Sequence, residues 1–183
     1  YRQVGRITNI VDHLRAFGRS EDLSKEPVEL DSVLDNALLL LEGRLTQLGI
    51  TFVRTSEEAL PPVRGSSSQL EQVLINLFQN AIDALSDNAG DGRIHVTMSK
   101  SSAQDQITIS FADNGEGIAP GDLDQVFVPF FSTKEVGKGT GLGLSIVHSI
   151  IRDHGGTVTC ESELGAGTVV GINLPVSTGS EPA

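Results

Sequence analysis

Apolar and polar residues alternate in the extended segments of this chain. Ile94, Val96 and Met98 are separated by polar residues, and the pattern repeats over residues 107–111. Successive side chains of a strand point to opposite faces, so each segment has one apolar and one polar face. A sheet of such strands packs one face on helices and leaves the other in water. The sequence therefore predicts a two-layer α+β sandwich.

Helical periodicity covers the segments that precede these strands. The first runs from Leu30 to a stop at Gly49, with a stripe of leucines on one face and Asp31 as a plausible N-cap. The second opens with Ser68 and, three residues later, Glu71, which is the form of a capping box. We expect both helices to pack on the apolar face of the sheet.

The second half of the chain contains shorter elements. A short helix is expected after Pro120, and a longer one over about residues 141–154, which two glycines follow. Residues 158–162 and 168–174 then predict a closing β-hairpin.

Residues 1–19 have apolar side chains at steps of three and four, which predicts a helix with one apolar face. The heptad-like spacing favours a helix–helix seam, although a terminal helix packed on its own domain is the alternative. Residues 20–27 are a polar linker, 28–176 form the main domain, and 177–183 are expected to be a disordered tail. Because the chain begins at Tyr1 without Met, we expect it to be part of a longer protein.

The charge and cysteine content exclude some classes of partner. A net charge of −11 argues against nucleic-acid binding, which needs clustered Lys and Arg. No stretch approaches the roughly 20 apolar residues that span a bilayer, so no membrane contact is expected. Cys160 is the single cysteine and cannot form an internal disulfide, which fits a reducing, cytoplasmic compartment.

Two asparagines in the second helix have a spacing that places them on one face. Asn76 and Asn80 are four residues apart and opposite the apolar side. Asparagine costs a helix interior roughly half a kcal/mol relative to alanine. An amide oxygen is a hard, neutral ligand suited to a magnesium ion already held by phosphates. The alternative is a solvated polar stripe.

The strand over residues 107–113 ends in a carboxylate followed by two glycines. Asp113 precedes Gly115 and Gly117, where the backbone can turn sharply and approach a flat ligand. A carboxylate there could accept a hydrogen bond from the exocyclic amine of adenine. An ordinary Asp-Asn-Gly turn is the alternative.

Four glycines in residues 137–143 lead directly into a helix. Free backbone N–H groups and the positive helix end can hold a phosphate there, and Lys134 and Lys138 add charge. The spacing matches neither a Walker loop nor a dinucleotide-binding fingerprint. A flexible surface loop without a ligand is the alternative.

Taken in order, these motifs resemble the catalytic domain of sensor histidine kinases, in the branch with an NAxDA box found in nitrogen- and dicarboxylate-responsive kinases. The resemblance covers about residues 28–176. It implies a Bergerat-type ATP-binding fold, a mixed sheet covered on one face by helices, preceded by one helix of a dimerisation domain. The matching segments are NLFQNAIDAL, DNGEGI, VFVPFFSTK, GKGTGLGLSIV and GAGT.

The resemblance implies a role for each matching position. Asn80 would bind magnesium and phosphate oxygens, and Asn76 and Lys134 would be the catalytic residues, with Lys134 near the terminal phosphate. Phe127, Phe130 and Phe131 would anchor the lid, the loop over about residues 128–140. The remaining ATP-binding candidates are Asp83, Ala84, Asp113, Gly115, Gly117, Ile118, Lys138, Gly139, Thr140, Gly141, Leu142, Gly143 and Thr168.

The implied reaction is transfer of the terminal phosphate of ATP to a histidine outside this chain. Similar gyrase- and chaperone-type ATPases have glutamate at the position of Asn76, and asparagine cannot take a proton from water. His13 is followed by Leu14 and not by an acidic residue, so we expect the acceptor upstream of Tyr1 and no self-labelling.

The implied partners are ATP, the histidine-bearing dimerisation helices of the same protein and a response regulator, with a homodimer as the full protein. Two other functions stay open at this point. One is an anti-sigma-factor-type serine kinase, which has no dimerisation helix. The other is a pseudokinase, a nucleotide-binding interaction module that transfers nothing.

Overall fold

A computed structural model describes residues 25–57, 59–86, 90–101, 105–134 and 139–177. The predicted N-terminal helix lies outside these residues. The elements of the described chain are β1 (Glu26–Val28), α1 (Leu30–Leu48), β2 (Thr51–Ser56), β3 (Val63–Gly65), α2 (Ser67–Ala84), β4 (Arg93–Lys100), β5 (Gln106–Asp113), a 3-10 turn (Leu123–Gln125), α3 (Gly143–Asp153), β6 (Thr157–Glu163) and β7 (Gly167–Pro175).

Five strands form one mixed sheet in the order β2-β4-β5-β7-β6. β2 pairs with β4 in parallel, and the other three pairs are antiparallel. The three α-helices of the described chain cover one face of this sheet. The predicted two-layer α+β fold is confirmed, and so is the closing hairpin, which is β6 and β7.

The alternation in β4 and β5 places their apolar side chains between the sheet and the helices. Ile94, Val96 and Met98 are almost fully buried, as are their counterparts on β5. Phe78 of α2 packs against Phe111 of β5 in an edge-to-face arrangement with ring centroids 4.9 Å apart. None of the helices in the described part of the chain is long and apolar enough to cross a bilayer.

Both predicted helix caps are wrong. Glu29 precedes α1, while the Asp31 carboxylate lies in the first turn and pairs with Arg54 of β2. The N-cap of α2 is Ser66 and not Ser68, and its hydroxyl accepts from Gln69 N. The Asp31 carboxylate is engaged by Arg54 of another element, whereas the cap of α2 is a local bond that lies two residues before the predicted position. The stop at Gly49 is confirmed, with φ of 66°.

Paired backbone extends into segments assigned to the linker and the tail. β1 begins at Glu26 and pairs antiparallel with β3, a small sheet that sequence analysis did not predict. At the other end, Ser177 N donates to Pro62 O over 2.8 Å. The boundaries at residues 28 and 176 themselves stay a prediction.

His154 joins the end of α3 to the start of α2. Its side chain is buried, Nε2 accepts from Ser66 N over 3.0 Å, and Nδ1 donates to Ile150 O over 2.7 Å. Desolvation by burial lowers the pKa of His154, and the hydrogen bond to Ile150 opposes this shift only in part. A protonated ring could not accept from Ser66, so this link requires the neutral imidazole.

We predict that the free energy of unfolding falls as the pH decreases below about 6.5, the reference pKa of histidine. Because the pKa of folded His154 lies below that value, the unfolded chain binds the extra proton and stability is lost as the pH falls through the folded-state pKa. One such group contributes at most about 1.4 kcal/mol per pH unit. Urea unfolding between pH 7.5 and 5 measures this slope.

His154→Gln should flatten that slope, because glutamine can donate and accept without gaining a proton. His95→Gln, at an exposed position on β4, is the matched control and should keep the wild-type slope. An unchanged slope in His154→Gln would assign the pH dependence to other groups.

Candidate active site

One cleft of about 550 Å³ opens between α2, the ends of β5 and β7, and the loop that leads into α3. Residues from every motif identified in the sequence line it. The predicted site residues on its wall are Asn76, Asn80, Asp83, Ala84, Asp113, Gly117, Ile118, Lys134, Gly139, Thr140, Gly141, Gly143 and Thr168.

Three predicted residues are not on the wall of the cleft. Lys138 lies outside the described residues. Leu142 is buried in the hydrophobic core, where it precedes α3. Gly115 packs beneath the cleft, since a Cβ there would lie 2.7 Å from Ala84 Cβ. Leu142 and Gly115 thus support the wall of the cleft, and their predicted contact with a ligand stays a prediction.

The asparagine pair lies at one end of the cleft. Asn76 is only 9% exposed, and its Nδ2 has no hydrogen-bond partner among the described residues. Asn80 faces the start of α3, where a Cβ on Gly143 would lie 3.4 Å from Asn80 Oδ1. A buried amide donor without a partner costs about 1–3 kcal/mol. The position therefore suits a ligand that brings hydrogen-bond acceptors.

The first turn of α3 adds backbone donors to the same end. The N–H groups in the first turn of a helix have no intrahelical partner, and in α3 no side chain caps them. Gly143 begins the helix and lies on the wall of the cleft. Its missing side chain leaves the space beside Asn76 and Asn80 open. Together these groups can hold an anion without a formal positive charge.

Asp113 lies at the opposite end of the cleft, as the last residue of β5. Its Oδ1 accepts from Gly115 N over 2.8 Å. Burial raises the pKa of the Asp113 carboxyl, and backbone hydrogen bonds from Gly115 and Thr168 oppose that shift. A carboxylate oxygen has two lone pairs, so Asp113 can accept a further hydrogen bond from a ligand that carries an amine.

The neighbouring loop is fixed by a short hydrogen-bond chain. Ile118 N donates to Ser162 Oγ over 2.8 Å, and Ser162 donates in turn to Gly167 O. Gly117 has a φ of 71°, and a Cβ there would lie 2.0 Å from Glu163 O. Only glycine fits so close to β6, so the turn after Asp113 is held against the hairpin.

Lys134 forms an ion pair with Asp83. Its Nζ lies 2.8 Å from Asp83 Oδ2, and both side chains are less than one-third exposed. Asp83 Oδ1 also accepts from Gln79 Nε2 over 2.7 Å. The predicted catalytic lysine is thus paired with a carboxylate on the cleft wall, and Lys134 itself also lines the cleft.

The predicted phenylalanine anchors behave differently from one another. Phe131 lines the cleft, and the Phe127 ring lies 5.5 Å from that of His148. Phe130 is 71% exposed and has a φ of 68°, so its side chain anchors nothing in the described structure. Its backbone does, because Phe130 N donates to Gly141 O over 2.8 Å.

Sequence analysis missed several residues of the wall. Arg44 belongs to α1, outside all the motifs, and Gln79 lies between the two asparagines. Glu116, Ser132 and Thr133 lie inside recognised motifs but received no role. The spacing of Gln79 from Asn76 and Asp83 was a usable signal, whereas Arg44 had none in the local sequence.

The described residues contain no group of three or more His, Cys, Asp or Glu side chains arranged to hold a metal ion. A divalent cation in this cleft would therefore need oxygens from the ligand itself beside the amide oxygen of Asn80. The arrangement suits a ligand with an amine-bearing flat group at Asp113 and an anionic end at the asparagines.

Comparison with known proteins agrees with this geometry. Residues 65–178 match the family described as histidine kinase-, DNA gyrase B- and HSP90-like ATPases, and the chain belongs to that family. Within it, the chain is a catalytic ATP-binding domain of the sensor histidine kinase type.

Among curated proteins, the sensor histidine kinase ZraS of Escherichia coli K12 is 35% identical over 96% of this chain. The chain spans only 36% of the length of ZraS. Among solved structures, the catalytic domain of the histidine kinase ThkA has a TM-score of 0.72 at 31% identity, with 83% of this chain and 95% of that chain covered.

Two solved structures contain further components. Full-length ShkA in complex with AMPPNP has a TM-score of 0.79 at 27% identity and covers 97% of this chain and 36% of its own. ThkA in complex with the response regulator TrrA has a TM-score of 0.77 at 27% identity, with 96% and 48% covered.

We predict that Asp113→Asn weakens ATP binding roughly 10- to 100-fold. The amide oxygen can still accept from Gly115 N, but its nitrogen would face the amine of adenine as a second donor. Calorimetry with ATP measures the loss. Asp105→Asn, at an exposed position outside the cleft, is the matched control and should bind like the wild type. Equal wild-type affinity for GTP and ATP would contradict the adenine assignment.

Proposed function

We propose that this domain binds ATP with magnesium and transfers the terminal phosphoryl group to a histidine outside this chain. The observation that carries the proposal is the buried, unpartnered Nδ2 of Asn76, in the same cleft as Asp113. A donor that has no partner in the described protein suits an acceptor-rich triphosphate, and the carboxylate at the other end suits adenine.

The residue type at position 76 favours transfer over hydrolysis. Asn76 is a buried amide and cannot act as the base that activates water. In phosphoryl transfer the histidine nitrogen forms a bond to the terminal phosphorus while the bond to the ADP oxygen breaks. The protein contributes mainly alignment and charge stabilisation, for which amide, backbone and cationic donors suffice.

Asn80 is the proposed magnesium ligand of this chain. Its amide faces the first turn of α3, where the phosphates would lie, and the described residues offer no alternative carboxylate cluster. Bound magnesium would neutralise charge on the phosphate oxygens. Lys134 is the proposed partner of the terminal phosphate once it leaves Asp83, and Lys138 would add charge from the same loop.

The proposed partners follow from the chemistry of the donor and the acceptor. The domain presents a phosphate, and the described residues of the cleft wall include no histidine, so in this proposal the acceptor comes from the dimerisation helices of a homodimeric full-length protein. The phosphate would then pass to a response regulator, the class of partner named in the ThkA–TrrA complex. We place this activity in the cytoplasm, where ATP is available, without contact with nucleic acid or a membrane.

We predict that the chain transfers label from [γ-³²P]ATP to the histidine-bearing dimerisation domain of its own full-length protein when that domain is added. The chain alone should stay unlabelled, since His13, which lies outside the described residues, is followed by Leu14. Asn80→Ala should reduce transfer at least tenfold, because it removes the only proposed metal ligand of the protein.

Asn36→Ala, at an exposed position on α1, is the control and should transfer like the wild type. Acid-labile label on His13 would refute the acceptor assignment. ATP binding without transfer to the added domain would favour the nucleotide-binding module, and acid-stable label on an added protein would favour a serine kinase.

A further inference from the structure

Arg44 is a cation of the cleft wall that belongs to none of the nucleotide-binding motifs. It lies on α1, whereas the asparagine pair lies on α2 and Lys134 on the loop before α3. Among the described residues of the wall, Arg44 and Lys134 are the two with positive charge. Every other donor toward the anionic end is a neutral amide, a hydroxyl or a backbone N–H.

The packing of α1 fixes the backbone position from which the Arg44 side chain extends. Leu41 and Leu45 on either side of Arg44 are buried in the core, which leaves the backbone at position 44 no freedom to turn away from α2. Arg44 Nη1 donates to Gln79 Oε1 over 2.6 Å. Gln79 lies three residues after Asn76 and four before Asp83 on α2, so the guanidinium lies beside the strip of that helix that borders the cleft.

Asp83 holds both cations in place. Arg44 Nη2 lies 3.5 Å from Asp83 Oδ1, and Lys134 Nζ lies 2.8 Å from Oδ2 of the same carboxylate. One carboxylate carries one negative charge, so it balances only one of the two cations. The Arg44 side chain is also 46% exposed, and within the described part of the chain only Gln79 and Asp83 engage it, so further N–H groups can bond a ligand.

A polyphosphate is the anion best matched to this surplus. A guanidinium has five donors in a planar fork, of which Gln79 uses one. Phosphate oxygens accept such donors in short, charge-assisted bonds, and the planar fork can engage two oxygens at once.

We propose that Arg44 is a phosphate-binding residue of this site. It is a second cation for the nucleotide, and α1, which lies outside the recognised motifs, supplies it. This inference rests on the proposed function, because it assigns a contact to the phosphates of the bound nucleotide. Asp83 and Gln79 keep the guanidinium at the edge of the cleft. With nucleotide bound, the phosphates take over its free N–H groups.

The test compares ligands with and without phosphates. Arg44→Ala should weaken ATP binding about tenfold, the loss expected for one partly exposed charge-assisted hydrogen bond, while the affinity for adenosine stays unchanged. Arg44→Lys should recover part of the ATP affinity. Alanine is a strong helix former, so the exposed position on α1 should tolerate the change. Competition against a fluorescent adenine nucleotide measures each dissociation constant.

Arg93→Ala removes an equally charged, 70% exposed side chain that does not line the cleft, and it should bind ATP like the wild type. An unchanged ATP affinity in Arg44→Ala, or equal losses for ATP and adenosine, would overturn the inference and leave Arg44 a structural contact between α1 and α2. Failure of the wild-type chain to bind ATP at all would instead overturn the proposed function.

Discussion

Helix α2 belongs to the core and to the cleft at the same time, and the rest of the site depends on how it packs. Its apolar face is buried on the sheet, where Phe78 contacts Phe52 and Phe111. With 3.6 residues per turn, that burial directs Asn76 and Asn80 to the opposite side. Because the core is close-packed, it fixes the direction in which the two amides point.

Close backbone contacts fix the other walls. A Cβ on Gly117 would lie 2.0 Å from Glu163 O, and one on Gly167 would lie 2.0 Å from Asp113 O. A Cβ on Gly141 would lie 2.4 Å from the carbonyl carbon of Phe130. All three glycines have positive φ. Larger residues would separate the hairpin, the turn after β5 and the lid, so glycine at these positions keeps the cleft narrow.

The cleft wall is not positive as a whole, since it carries Asp83, Asp113 and Glu116 beside Arg44 and Lys134. The sequence carries a net charge of −11, which by itself repels a polyphosphate. Neutral amides, the uncapped first turn of α3 and two cations counter this repulsion within a few ångströms. Asp83 orients those cations, since its carboxylate accepts from Lys134 Nζ and lies 3.5 Å from Arg44 Nη2.

Periodicity and motif order in the sequence determined the α+β layers, the closing hairpin and most of the cleft wall, because side-chain direction within one element depends only on spacing along that element. Tertiary structure alone decided the pairing of Asp31 with Arg54, the small sheet of β1 and β3, and the place of Arg44. Arg44 forms a hydrogen bond with Gln79, 35 residues away in the sequence, and His154 forms one with Ser66, 88 residues away. No local pattern encodes such pairs, since they form only where two separately folded surfaces pack together.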